Sequence, residues 1–252
     1  MIDLKSSLQL LHVDNIKMHE NFQPTRLEKT MSAILNDRML INPIITTRIN
    51  EQEYMIIDGV HRFLSLKELG FKVVACQIVE ERDVELNMWS HLVKAGEWLK
   101  GYADKNVIVT GKELSTQKYA FKITDSKQES FYYYLNDDHN LMSYVNAMHN
   151  IVAKYSCKPF LRVSELNESE IIGEDILVDF YSFSMGEINK LVSRRGQLPT
   201  GVTHFSISNR LLNLKIPLEY LEPDGYGHSW LDFLVNIQQK LRYYPESVYI
   251  CE

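Results

Sequence analysis

Cysteine is scarce. Cys76, Cys157 and Cys251 are three among 252 residues, odd in number and far apart, with no Cys-x-x-Cys pair. That pattern excludes a disulfide framework or a zinc cage as the organising device and fits reduced thiols. Long apolar runs are missing too: nowhere do roughly 18 consecutive apolar residues occur, and Met1 to Leu11 has no basic region followed by an apolar run. Neither a membrane span nor an export signal is expected, and the compartment is read as cytoplasmic. Basic residues are in deficit, with 27 Lys and Arg against 33 Asp and Glu and a formal net charge of −6. A protein whose main work is coating nucleic acid would show the opposite balance. No Walker motif is present, because Thr110-Gly111-Lys112-Glu113 lacks both the earlier glycine and the hydroxyl residue after lysine. There is no His-Glu-x-x-His zinc helix, no internal repeat and no low-complexity tract. Asn167-Glu168-Ser169 matches a glycosylation acceptor only formally. What remains is ordinary globular composition, 45% hydrophobic and 24% charged over a length that suits two domains.

The stretch from Tyr54 to Gly70 carries the most chemistry. Tyr54 to Ile57 reads as a buried strand, Asp58-Gly59 as a tight turn, and Val60 to Leu69 as a helix with Gly70 just past its end. A strand, turn and helix in this order offer backbone N–H groups and a helix N-terminus to an anion, and His61 and Arg62 in the first turn can add side-chain donors to a phosphate. Asp58 puts a carboxylate beside the same anion. That is useful for holding a metal ion or taking a proton, and of little use for clamping phosphate alone. The plain alternative is a common Asp-Gly turn followed by a solvated arginine.

Elsewhere, Leu8 to Lys17 reads as a short strand and loop delivering Met18-His19-Glu20 to a helix. Pro24 precedes Thr25-Arg26-Leu27-Glu28, which has capping-box spacing, and Leu27, Met31, Ile34 and Leu35 mark one helical face. Ile44 to Ile49 and Glu53 to Ile57 form an expected strand pair, and Val73 to Val79 a further strand. Glu80 to Asp83 is a charged loop closing this unit. Val84 to Lys100, with Trp89, Leu92, Val93 and Trp98, is expected to be helical. Val107 to Val109, Tyr119 to Ile123 and Phe131 to Leu135 read as strands, with Tyr132-Tyr133-Tyr134 packing in a sheet. Asn140 to Tyr155 is an amphipathic helix on which His149 is a satisfied histidine. Ser184-Met185-Gly186-Glu187 is a capping box opening a helix to Val192, Trp230 to Leu241 a last helix, and Val248 to Ile250 a final strand. Asn136-Asp137-Asp138-His139 has the residue types to bind a cation, but such a stretch is usually a turn.

Asp58-Gly59-Val60-His61-Arg62, with Asn42-Pro43-Ile44-Ile45 upstream, resembles the Asp-Gly-x-His-Arg box of the ParB/sulfiredoxin-like superfamily, whose members bind nucleotide phosphates at this turn. His19-Glu20, Pro24-Thr25-Arg26, Asn42-Pro43 and the box, in that order, are similar to the free L-serine kinases within it. The resemblance implies that Glu20 is the catalytic glutamate and that Asp58 is a catalytic and metal-binding carboxylate. Gly59, Val60, His61 and Arg62 would cradle the nucleotide phosphates. Leu198 to Phe205, with Pro199 and Gly201 making a turn, looks like the family's serine-binding loop, followed there too by an arginine and a Pro-Leu pair, here Arg210 and Pro217-Leu218. Thr203 and His204 would bind substrate, His204 standing where the family often has a basic residue. Trp89 either walls the substrate pocket or is a core tryptophan anchoring its helix. Sulfiredoxin chemistry is disfavoured because Asp58-Gly59 replaces a cysteine-containing turn.

The expected fold is α+β (mixed α/β), with a ParB/sulfiredoxin-like nucleotide-binding domain over 1–82 and a second α/β domain over 83–252 contributing the serine-binding loop. The expected reaction moves a phosphoryl group from ATP, or alternatively ADP, to L-serine with Mg²⁺. O-phospho-L-serine would serve siderophore biosynthesis. A homodimer is expected. The rival reading is a ParB-type DNA-binding transcriptional regulator under nucleotide control, for which Arg194-Arg195 leave room.

Overall fold

A computed structural model of the chain describes residues 3–100, 107–136, 140–164, 170–222 and 229–244. Four sequence expectations, Val248 to Ile250, Asn167-Glu168-Ser169, Asp137 to His139 and Cys251, lie outside them. Helices and strands are mixed, as expected of an α+β chain, and they fall into two compact units.

The first unit opens with α1 (Leu4–Ser7), β1 (Leu8–His12), β2 (Ile16–Met18), α2 (Pro24–Asp37), β3 (Met39–Leu40), β4 (Ile44–Arg48), β5 (Tyr54–Asp58), α3 (Val60–Glu68) and β6 (Val73–Val79). Its sheet runs β1-β6-β4-β5-β2. Strand β1 is antiparallel to β6, β4 parallel to β6 and β5 antiparallel to β4. Four successive residues of β4, β5 and β6 are buried, which requires cover on both faces, and α2 and α3 pack together beside this sheet. Ile44, Met55, Ile56 and Leu66 are fully buried, each worth about 1.5–3 kcal/mol of apolar transfer.

Helix α2 starts differently from the expected capping box. Gln23 is the N-cap, Pro24 occupies the first helical position, and no side chain caps the end. Proline suits that position because its fixed φ is already helical and its missing N–H would have had no intrahelical partner. Thr25 is thereby carried inside the first turn. Helix α3 ends as expected, with Leu69 as its C-cap and Gly70 at φ +91°.

The second unit contains β7 (Val84–Met88), β8 (Ser90–Lys94), α4 (Glu97–Lys100), β9 (Val107–Thr110), β10 (Phe121–Asp125), β11 (Ser130–Leu135), α5 (Leu141–Tyr155), β12 (Phe160–Val163), β13 (Asp175–Phe180), α6 (Met185–Ser193) and β14 (Thr203–Ile207). Two strands and the short helix α4 thus stand where one helix was expected over Val84 to Lys100. Burial alternates along β8, where His91 and Val93 point inward. Pairing to β12 on one side and β13 on the other overrides the helical spacing of Trp89, Leu92 and Val93. The sheet runs β12-β8-β13-β10-β11-β9, and β14 pairs with β7. Asn140 caps α5 by accepting from the Ser143 N–H, and Ser184 and Glu187 close the expected capping box on α6. His149 is satisfied by the Gln197 carbonyl at 2.8 Å. Tyr133 and Tyr134 are buried in the sheet.

After β14 the chain rejoins the first unit through β15 (Ile216–Pro217) and α7 (Trp230–Lys240). Strand β15 pairs with β3, the Leu218 N–H donates to the Arg38 carbonyl, and Leu211, Leu214, Ile216 and Leu218 are buried. Residues 18–22 go the other way and belong to the second unit. This division differs from the contiguous 1–82 and 83–252 expected, because strand pairing and apolar burial, which set the units, ignore sequence order.

Candidate functional site

In the first unit, β5 ends at Asp58 and α3 begins at Val60, with Gly59 between them at φ +97°. That left-handed conformation favours glycine, and a Cβ there would sit 2.9 Å from an Arg62 guanidinium nitrogen. The Gly59 carbonyl accepts the Phe63 N–H at 2.9 Å, so the helical hydrogen bonds of α3 begin at Gly59, and a helix N-terminus of this kind can receive an anion. Val60 is buried and fixes the helix against the sheet. His61 Nε2 accepts the Gln23 N–H at 3.1 Å, which places the ring proton of the neutral imidazole on Nδ1.

Arg62 is heavily engaged. One terminal nitrogen donates to the Asn42 and Pro43 carbonyls at 2.9 and 2.8 Å, and the other reaches Asp58 Oδ2 at 3.0 Å. The expected Asn-Pro stretch is therefore tied to the box by the arginine of the box itself. A second arginine meets the same oxygen: Arg210 donates to Asp58 Oδ2 at 2.6 Å. The sequence marked Arg210 only by its place after the loop, and this pairing with Asp58 was not anticipated.

Asp58 is the carboxylate of this turn. Among the described residues no group of three or more His, Cys, Asp or Glu is arranged to hold a metal ion. Magnesium is commonly held by one or two carboxylates together with substrate phosphates, so a single Asp58, with both arginine bonds on Oδ2, is a fitting donor set.

In the second unit, Glu20 is bridged to Leu198, and the bonds Leu198 N–H to His19 carbonyl and Asn21 N–H to Leu198 carbonyl, 2.8 and 2.9 Å, lock the two segments in register. Glu20 Oε2 accepts the Gly201 N–H at 2.9 Å and the Thr203 hydroxyl at 3.2 Å. Because Thr203 spends its proton on the carboxylate, its oxygen accepts from His19 Nε2 at 2.9 Å. His19 is 2% exposed. Glu20 is thus held by one oxygen, and the loop read as serine-binding is what holds it.

Gly201 has φ +77°, and an added Cβ would overlap the Arg162 guanidinium. Its carbonyl accepts from His91 Nε2 at 2.9 Å, and His91 Nδ1 accepts the Tyr155 hydroxyl at 2.8 Å. Burial, the largest cause, pushes the His91 ring down to about 4, the Gly201 bond opposes it, and the charge of Arg162 adds to it. Burial also pushes the Tyr155 phenol up. Neither His91 nor Arg162 was singled out in the sequence. A histidine beside the apolar pair Leu92-Val93 was the available signal.

Trp89 and His204 stack with ring centroids 4.1 Å apart, and the Trp89 N–H donates to the Val202 carbonyl. Trp89 therefore belongs to the loop of Thr203 and His204, and it anchors no helix. Glu20, Thr203, His204 and Trp89 lie in the second unit, and Asp58, Gly59, Val60, His61 and Arg62 in the first.

The Asp-Gly-x-His-Arg box sits on the β5–α3 turn, and the ParB N-terminal domain family matches residues 4–91. Over its whole length the chain is 34% identical to the ATP-dependent L-serine kinase SbnI of Staphylococcus aureus, with 100% of both chains covered. It is 28% identical to an ATP-dependent L-serine kinase of Staphylothermus marinus over 58% of this chain and 64% of that one. The solved structure of SbnI with C-terminal truncation from Staphylococcus aureus matches with a TM-score of 0.82 at 32% identity, covering 95% of this chain and 97% of that one. A free serine kinase in complex with AMP shares the fold, with a TM-score of 0.70 at 18% identity, over 86% of this chain and 94% of that one. The chain belongs to the family of ATP-dependent L-serine kinases.

Proposed function

We propose that this protein phosphorylates free L-serine on its hydroxyl, taking the γ-phosphoryl group of ATP and releasing ADP and O-phospho-L-serine. The observation that carries the reading is the mounting of Glu20. Its Oε2 is held by the Gly201 N–H and the Thr203 hydroxyl, which leaves Oε1 to take a proton. A serine hydroxyl is a weak nucleophile, and a carboxylate that accepts its proton as the oxygen–phosphorus bond forms contributes about 10²- to 10⁴-fold. As that bond forms, the bond from the γ-phosphorus to the β–γ bridging oxygen breaks, and the electron pair leaves with ADP.

The other roles follow the residue types. The N–H groups at Gly59, Val60 and His61 and the side chains of His61 and Arg62 cradle the phosphates. Asp58 would hold Mg²⁺, which neutralises phosphate charge when bound. Thr203, His204 and Trp89 form the serine-binding surface, and the protein works in the cytoplasm as a homodimer. Among the described residues no helix is long and apolar enough to cross a membrane. Similarity to SbnI supports the use of phosphoserine in siderophore biosynthesis.

Phosphorus NMR of the protein with Mg²⁺, L-serine and either ATP or ADP is the direct test, with Glu20→Gln beside it. A phosphomonoester signal that needs both serine and Glu20 is expected with ATP. Its absence with either nucleotide, from protein that binds the nucleotide, would sink the reading. A second reading, a ParB-type DNA-binding regulator, rests on the ParB N-terminal match and the exposed Arg194 and Arg195 at the end of α6. Steeply salt-dependent, sequence-specific DNA binding would favour it.

A further inference from the structure

Two guanidinium groups converge on one oxygen of Asp58, and they are not equivalent. Arg62 is 20% exposed and donates to the carbonyls of Asn42 and Pro43 as well as to Asp58. It is a brace that holds the Asn-Pro stretch to α3. Arg210 is 39% exposed and its guanidinium makes one bond, to Asp58 Oδ2. One carboxylate cannot neutralise two guanidinium ions, so the group keeps an excess of one positive charge at the anion-binding end of α3.

The loop bearing Arg210 is not left to find its own position. Gln77, on β6 and 1% exposed, donates from Nε2 to the Asn209 carbonyl at 2.9 Å and accepts the Leu211 N–H on Oε1 at 2.8 Å. It grips the backbone on both sides of Arg210 and of no other residue. Further along, the Asn213 N–H donates to Asn42 Oδ1 at 2.7 Å and the Lys215 N–H to the Ile41 carbonyl at 3.0 Å. Asn42 thus joins the two arginines, accepting from Arg62 on its carbonyl and from Asn213 on its side chain. A polar side chain buried in the otherwise apolar run Val73 to Val79 costs desolvation unless fully bonded, and both of its polar ends are spent on this loop.

We infer that Arg210 is a second phosphate-facing cation of this cradle, beside Arg62, engaging the terminal phosphate of the bound nucleotide, and that Gln77 is the residue that positions it. This rests on the nucleotide reading of the β5–α3 turn. Arg210 has N–H groups to give beyond its one bond, and its single ion pair with Asp58 aims it without consuming it.

Calorimetric titration with ADP and with AMP, in Mg²⁺ at fixed ionic strength, tests both halves. Arg210→Gln should weaken ADP by about tenfold or more, as expected for a lost charge-assisted bond, and change AMP by less than about threefold. Gln77→Leu should weaken ADP in the parent protein and add nothing in the Arg210→Gln background, because a positioning residue acts only through the group it positions. Equal losses for AMP and ADP, or no loss for either, would overturn the assignment of Arg210. Additive losses in the double variant would overturn that of Gln77. If Gln77→Leu does not fold, Gln77→Glu, which keeps an acceptor for the Leu211 N–H, replaces it. Failure of the parent protein to make phosphoserine while still binding ADP would count against the kinase and leave this inference standing.

Discussion

The Gly201 N–H and Glu20 Oε2 lie 2.9 Å apart across 181 residues of sequence. This one bond makes the geometry of the proposed base depend on the backbone of a distant loop. Gly201→Ala forces a side chain into a left-handed backbone, at about 1–2 kcal/mol, and into the space of the Arg162 guanidinium. We expect kcat for serine phosphorylation to fall about 10- to 100-fold while nucleotide affinity holds, because small misplacements of a reacting group are that costly. Steady-state kinetics beside ADP titration will show the split, and a variant with full kcat would mean that this bond does not aim Glu20.

Asp58 partly offsets the charge of Arg62 and Arg210, so its removal has two opposite consequences. Asp58→Asn should lower turnover by about 100-fold or more, since a charged bonding partner and the proposed Mg²⁺ ligand are both lost. Binding of metal-free ADP, measured with a chelator present, should hold or tighten, because the anion then meets two arginines without a competing carboxylate. Weaker metal-free binding would show that Asp58 supports the cradle in some other way.

His91 gives the fold a pH dependence of known sign. Its ring is pushed below the usual histidine range by burial, to about 4, so between that value and about 6.5 the unfolded chain binds a proton that the folded chain does not. Stability therefore rises with pH through this window and is lost as pH falls from 6.5 toward 4, by at most about 3 kcal/mol. Thermal melting as a function of pH, compared between the parent and His91→Gln, isolates the contribution. The drop should shrink in the variant, and identical pH profiles would remove His91 as its source.

The two described cysteines should react very differently. Burial pushes the Cys76 thiol far up, in the buried middle of strand β6, whereas Cys157 is exposed just past α5. In the native protein a thiol reagent should label Cys157 quickly and Cys76 only after unfolding, because the thiolate is the reactive species. Peptide mass mapping of the labelled chain reads this out. Fast native labelling of Cys76 would mean that β6 opens readily.

The sequence reached much of this because the most telling signals are local. The Asp58-Gly59 turn, the helix from Val60, the capping box of Ser184 and Glu187 and the amphipathic helix after Asn140 each depend on residues within a turn or two of one another. The stretch from Val84 to Lys100 was misread because its structure is set by β12 and β13, which the chain reaches only 70 or so residues later. Likewise Thr25 lost the cap position to Gln23 through the preference of Pro24 for the first helical turn.

By itself the sequence marked the ParB-like box as a candidate phosphate cradle, since a strand, turn and helix rest on residue types at short spacings, while Glu20 and the loop of Thr203 as candidates and the class of reaction came from the resemblance to the free L-serine kinases. Only the tertiary structure decided that Gly201 and Thr203 hold Glu20, that Arg210 shares Asp58 with Arg62, that Gln77 grips the loop around Arg210, and that the chain after Ile207 rejoins the first unit. The physical reason is range. A turn or a cap is settled by neighbours along the chain, whereas a hydrogen bond between distant segments forms only after apolar burial and strand pairing have brought them together.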